Sequence, residues 1–123
     1  MIHLDTSFLI RGLVAGSPED RRLRSWLRAR EVIRISALVW AEFLCGPINA
    51  VTAEEAAEFL GQPVDFGGTD ALLAAQLFNE SGRRRGSMID CIVAATAIRH
   101  EAPLATSNVA DFRRFLPFGL TLA

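Results

Sequence analysis

A three-layer α/β/α architecture, with a short, mainly parallel five-stranded sheet between helices, is the fold class this sequence predicts. Three observations lead to it. Short apolar runs alternate with longer amphipathic stretches, the pattern of strands and helices in a parallel sheet covered on both faces. The length of 123 residues, half of them apolar and 22% charged, suits one compact domain (1–123) and is too short for two of ordinary size. The first apolar run, MIHLDTSFLI, ends on a carboxylate, Asp5. In doubly wound folds chemical groups gather at the carboxyl ends of strands, near the point where strand order reverses.

Taken in order, Ile2–Leu4 is a short strand, and the apolar Phe8–Val14 begins a helix packed under it. Ser17-Pro18-Glu19-Asp20 is a helix start: a Ser N-cap, Pro in the first turn, and acids near the positive end of the dipole. The helix that follows carries Leu23, Trp26 and Leu27 on one face and arginines at 21, 22, 24, 28 and 30 on the rest, a solvated face or a contact surface for RNA or a partner. Val32–Ile35 is the second strand, and Ser36 caps a helix over Ala37–Cys45 that Gly46-Pro47 ends. Thr52-Ala-Glu-Glu55 reads as a capping box for a helix to about Leu60. Gly61 and Pro63 stop it, and Val64–Phe66 is a third strand. Thr69-Asp70 opens a helix through Phe78, a loop spans Ser81–Ser87, and a further helix runs from Met88 to His100. Pro103–Ala105 is a fourth strand, Asp111–Phe115 a helical turn and Leu120–Leu122 a last strand.

Of the 14 acids, most need no special explanation. Glu19, Asp20, Glu54, Glu55, Glu58, Asp70 and Glu80 lie among polar residues or at helix starts, where a charge is expected to be solvated. Asp5, Glu42 and Asp90 differ, because their neighbours are apolar on both sides. A buried carboxylate left unpaired costs several kcal/mol, so each calls for an arginine, a capping role or a cation. The fold class aims Asp5 and Glu42 at one crevice, and clustered carboxylates repel unless a hard divalent cation sits among them. A turn after the first strand for Asp5, a surface position for Glu42 and a dipole role for Asp90 are the plainer alternatives.

The net charge of −1 excludes wholesale attraction to nucleic acid but not a local basic patch, and all 13 basic residues are arginine. Cys45 and Cys91 lie in apolar helical runs without metal-ligand spacing, and read as buried free thiols of a reducing cytosol. No basic region precedes the first apolar run, and Asp5 breaks it, so it is no signal peptide. No apolar stretch approaches the roughly 20 residues of a membrane span, and a cytoplasmic location is expected.

Four segments, LDTSFLI, SALVWAEFLCG, MIDCIVAATA and LATSNVADF, resemble the PIN-domain ribonucleases in order and spacing, and among them the VapC-type toxins of bacterial toxin–antitoxin pairs. The resemblance covers essentially the whole chain. It implies a metal-dependent endoribonuclease that uses Mg2+, or Mn2+, and leaves 5′-phosphate and 3′-hydroxyl ends. It maps the family's metal-binding acids onto Asp5, Glu42 and Asp90, with Glu42 orienting or deprotonating a water. At the fourth position, where many relatives carry Asp, this chain has Asn108, and Asp111 lies three residues on. Either Asp111 supplies the fourth acid or the site runs on three. Thr6, Ser7, Thr106 and Asn108 match positions that hold the acids or a water in place. The resemblance also implies a cognate VapB-type antitoxin and a homodimer, and Trp26, Trp40 and Phe43 could serve such surfaces if they do not fill the core.

Substrate needs a positive approach, for which Arg83, Arg84 and Arg85 between Gly82 and Gly86 are the candidates, followed by Arg113 and Arg114. Two rivals fail on residues. A phosphoacceptor receiver domain needs a late lysine, and this chain has none. A haloacid-dehalogenase-type phosphatase needs Asp-x-Asp after the first strand, where Ser7 stands in place of the second Asp. A PIN nuclease of RNA processing and a degenerate PIN fold kept for binding both stay open.

Overall fold

The computed structural model describes all 123 residues. Its sheet has three parallel strands in the order β2-β1-β3: β1 is Ile2–Leu4, β2 Ile33–Arg34 and β3 Leu104–Ala105. Central β1 pairs Ile2 with Ile33 on one side and Leu4 with Ala105 on the other. The chain leaves β1 toward one edge and returns to the opposite edge, so strand order reverses at the carboxyl end of β1. Right-handed crossovers in opposite directions put helices on both faces.

Five strands were expected and three form. Val64 makes a single parallel bridge to Ser36, and Leu122 a single one to Leu104, so the expected third and fifth strands shrink to one residue each. Gly67 caps a helix three residues beyond Val64, which leaves no room for a longer strand.

Seven α-helices follow from local signals: α1 Thr6–Gly12, α2 Pro18–Arg28, α3 Ala37–Cys45, α4 Ala50–Leu60, α5 Gly68–Glu80, α6 Met88–Arg99 and α7 Val109–Phe112, the last running into a 3₁₀ segment, Arg113–Phe118. Helix α1 starts earlier than its apolar run because Asp5 is its N-cap and accepts the Phe8 N–H at 2.8 Å. Ser17 and Ser36 cap α2 and α3 through the Asp20 and Val39 N–H groups. The capping box at Thr52 does not form: Asn49 takes the Thr52 N–H at 2.8 Å, and α4 begins at Ala50. Its end needs glycine, since Gly61 has φ 64 and a Cβ there would lie 2.7 Å from Nη1 of Arg34, which bonds the Leu60 carbonyl.

Helix α1 packs on α2 and α3, and α5 packs along α6. Phe8, Phe43, Phe115, Leu4, Ile35 and Leu77 are fully buried between them. Phe43 lies in this core, while Trp26 and Trp40 are partly buried against it, stacked on Phe8 and Phe43. Three surface readings need correction. Leu27 is exposed although it shares a face with Leu23, and Cys45 is exposed while Cys91 is buried. Asp70 and Asp20 are buried rather than solvated. Asp70 accepts from the Gly67 N–H and from Arg99, and Asp20 from the Gly16 N–H and Arg24. No helix is long and apolar enough to cross a membrane.

Candidate active site

Asp5 stands where β1 ends and α1 begins, so one side chain closes both elements. Its Oδ1 accepts from the Phe8 N–H and from Ser7 Oγ, each at 2.8 Å, and its Oδ2 accepts from Thr106 Oγ1. Thr106 follows β3, the strand beside β1, and accepts in turn from the Asn108 N–H at 2.9 Å. Ser7 Oγ also accepts from the Ser107 N–H at 3.1 Å. The loop after β3 is thereby bound to the end of β1 by hydroxyls. Burial pushes the Asp5 carboxyl above its ordinary value; these hydrogen bonds oppose the shift, and the Glu42 charge adds to it.

Glu42 is exposed on α3, contrary to the buried position its apolar neighbours suggest. A helix places successive residues about 100° apart, so Val39 and Phe43 fill the core while Glu42 faces out. Its carboxylate is nonetheless positioned, because Thr6 Oγ1 donates to Oε2 at 2.6 Å. Asp90 comes from the first turn of α6 and is half-buried. Burial raises its carboxyl above the usual range, Arg114 opposes the rise, and the charges of Asp111, Asp5 and Glu42 reinforce it.

The three acids line one open cleft of about 310 Å³ together with Thr6, Ser7, Asn108 and an apolar margin that includes Ile10 and Phe112. Of the two residues at the fourth position, Asn108 lines the cleft and Asp111 is not part of its lining. Asp111 Oδ1 instead lies 3.8 Å from Nη1 of Arg84. As the side chains stand, no three acidic, imidazole or thiol groups converge closely enough to hold an ion.

Arg83, Arg84, Arg85 and Arg113 are all exposed. The loop carrying the first three is shaped by positive φ at Gly82, Arg83 and Gly86. Arg114, adjacent to the exposed Arg113, turns inward and brings Nη2 to 3.6 Å from Asp90 Oδ2. The sequence pairs these two arginines without distinguishing them; only the 3₁₀ geometry after α7 separates their directions. Ser107, which donates Oγ to Glu19 at 2.9 Å, is a link that no motif marked.

The family described as the PIN domain matches residues 2–115. No curated protein matches the chain. Among solved structures it resembles VapBC2 from Rickettsia felis, determined bound to a DNA fragment from its promoter, at 22% identity and a TM-score of 0.79, covering 100% of this chain and 98% of that one. It is similar to VapBC-1 from nontypeable Haemophilus influenzae at 23% identity and a TM-score of 0.73, covering 100% and 97%. FitAcB from Neisseria gonorrhoeae is similar at 22% identity and a TM-score of 0.72, covering 100% and 97%. At these identities the likeness is one of fold.

Proposed function

The chain belongs to the PIN-domain family, and on that premise we propose that it is a Mg2+-dependent endoribonuclease, the toxin of a type II toxin–antitoxin pair held inactive by a cognate VapB-type antitoxin. One observation carries the nuclease reading: Asp5, Glu42 and Asp90, from three separate segments, line a single open cleft.

The donor set fits a divalent cation. It offers hard carboxylate oxygens, and two of the three acids are pushed up by burial and by neighbouring carboxylate charges, a strain that a cation would relieve. Asp5 and Asp90 would hold Mg2+, with Mn2+ as the alternative, and Glu42 lies beside them. When bound, the ion would supply Lewis-acid activation of a water and offset charge building on the phosphate. The chain's own part is positioning and proton transfer. Thr106 and Ser7 keep Asp5 in its ionised geometry, and Thr6 holds Glu42 where it orients a water and takes its proton. Asn108 offers an amide to the same cleft without charge, and the exposed Arg83, Arg84, Arg85 and Arg113 give RNA phosphates a positive approach.

Purified protein incubated with total RNA, with and without EDTA, tests this reading. Discrete new 5′ ends that vanish with EDTA and in Asp5→Asn support it; identical ends in all three samples would overturn it. The neutral Asn108 favours a second reading, a PIN fold kept for binding, which the same experiment excludes if cleavage is seen.

The antitoxin reading draws on the likeness to toxin–antitoxin complexes. It also draws on an apolar groove lined by Ile10, Leu13, Val14, Phe43, Pro47 and Ile48, which shares Ile10 with the cleft. A segment laid there would end at the acids. A homodimer is part of the same proposal, checked by light scattering with and without the co-expressed partner.

A further inference from the structure

Most arginines of this chain reach solvent, where a guanidinium is hydrated. Arg114 is largely withdrawn: its side chain is 16% exposed, and its Nε and Nη2 are buried without a hydrogen-bond partner. Buried donors left unmet are costly, and a buried charge more so, so the position needs an electrostatic reason. Three groups surround it: the Phe115 ring, the Asp90 carboxylate and the buried Cys91 thiol. The guanidinium lies over the Phe115 ring, 4.5 Å from its centroid, which fixes the plane of the group. Nη2 then points at Asp90 Oδ2 across 3.6 Å, inside Coulombic reach but beyond a hydrogen bond. Because Nη2 is itself inaccessible to solvent, an RNA phosphate entering the open cleft has no direct path to it.

We propose that Arg114 is a positioning residue, a cation built into the protein behind Asp90 that holds this carboxylate at the cleft and restricts the site to a single divalent ion. The proposal rests on the nuclease reading above for its context, and its logic is charge. Three carboxylates less one guanidinium leave two negative charges, which one divalent ion neutralises. On the opposite wall Asp5 and Glu42 are held by hydroxyls and one backbone N–H, neutral donors that leave their charge for the ion. Arg114 thus weakens affinity for the cation while keeping Asp90 in place in its absence.

The test reads metal binding and metal-free stability rather than cleavage. Calorimetric titration of the intact protein with Mg2+ should give one ion for the wild type, and for Arg114→Gln either a second ion or an affinity about tenfold tighter, since a like charge has gone. Arg114→Lys, which keeps the charge, should bind as the wild type does. Equal affinity and stoichiometry in all three would overturn the assignment. In metal-free melts, Arg114→Gln should lower the melting temperature by several degrees in the wild-type background and much less in Asp90→Asn; purely additive losses would also overturn it. Should Arg114→Gln not fold, the Arg114→Lys and Arg114→Met pair carries the same comparison. A wild type that shows this coupling yet cleaves no RNA would overturn the nuclease reading alone, whereas cleavage with additive melts would overturn Arg114 alone.

Discussion

Thr106 donates its hydroxyl to Asp5 across 101 residues of sequence, joining the carboxyl ends of two adjacent parallel strands. The same hydroxyl accepts the Asn108 N–H, so one side chain sets both an acid and the loop that carries the cleft's amide. Thr106→Val keeps the β-branched shape and removes the donor. It should cost about 1.5–3 kcal/mol in urea unfolding, the range for a hydrogen bond to a charged group. It should also weaken Mg2+ binding, because Asp5 loses a contact that favours its ionised form. Ser7→Ala should act in the same direction with a smaller effect, since Phe8 N–H still serves the same oxygen.

Glu42 separates activity from stability. It is exposed, and glutamine still accepts the Thr6 hydroxyl, so Glu42→Gln should change stability by no more than about 0.5 kcal/mol. If Glu42 takes a proton from the attacking water, kcat should fall by about 10²–10⁴-fold with KM little changed. A variant with full activity would remove Glu42 from that role.

The elements and acids were legible for one reason and the errors arose for another. Ser17, Ser36 and the Ser81–Ser87 loop announce their helices locally, because capping and φ > 0 act within a few residues. Asp5 was legible because a carboxylate at the end of an apolar strand has few places to go. Sheet width was not, since the apolar runs at Val64 and Leu122 read as strands although each pairs through a single bridge. The burial of Asp70 was also invisible, because its partner Arg99 is 29 residues away and α5 must lie along α6 for them to meet. Glu42 was misplaced for a related reason: a uniformly apolar helix does not declare which face meets the core.

Metal binding should be visible in thermal stability. Asp5 and Asp90 share a cleft, and the Asp5 charge helps to raise the Asp90 carboxyl, so the metal-free fold carries this repulsion. Saturating Mg2+, at about 100 times its dissociation constant, should stabilise the wild type by about 2.7 kcal/mol, several degrees in a domain of this size. Asp90→Asn should melt at the same temperature with and without Mg2+. A shift of equal size in both would place the cation elsewhere.

Acid should unfold this protein through His3, which is not part of the cleft lining. His3 sits in the centre of the sheet, 2% exposed, stacked on His100 at 5.2 Å, with Nε2 unpartnered. Burial lowers its pKa to about 4, and the neighbouring charges of His100, Arg34 and Arg99 act in the same sense. The unfolded chain binds a proton at this residue near pH 6.5, while the folded chain waits until about 4. Above pH 6.5 both states are neutral and His3 has no pH effect. Between 6.5 and 4 only the unfolded state is protonated, so stability falls with pH, by about 3 kcal/mol over the full window. His3→Phe keeps an aromatic ring in the stack and removes the titration. Urea unfolding from pH 7 down to 4 should therefore show a shallower loss for His3→Phe than for the wild type, the curves converging in slope above pH 6.5. Parallel curves throughout would mean that the acid lability comes from another group.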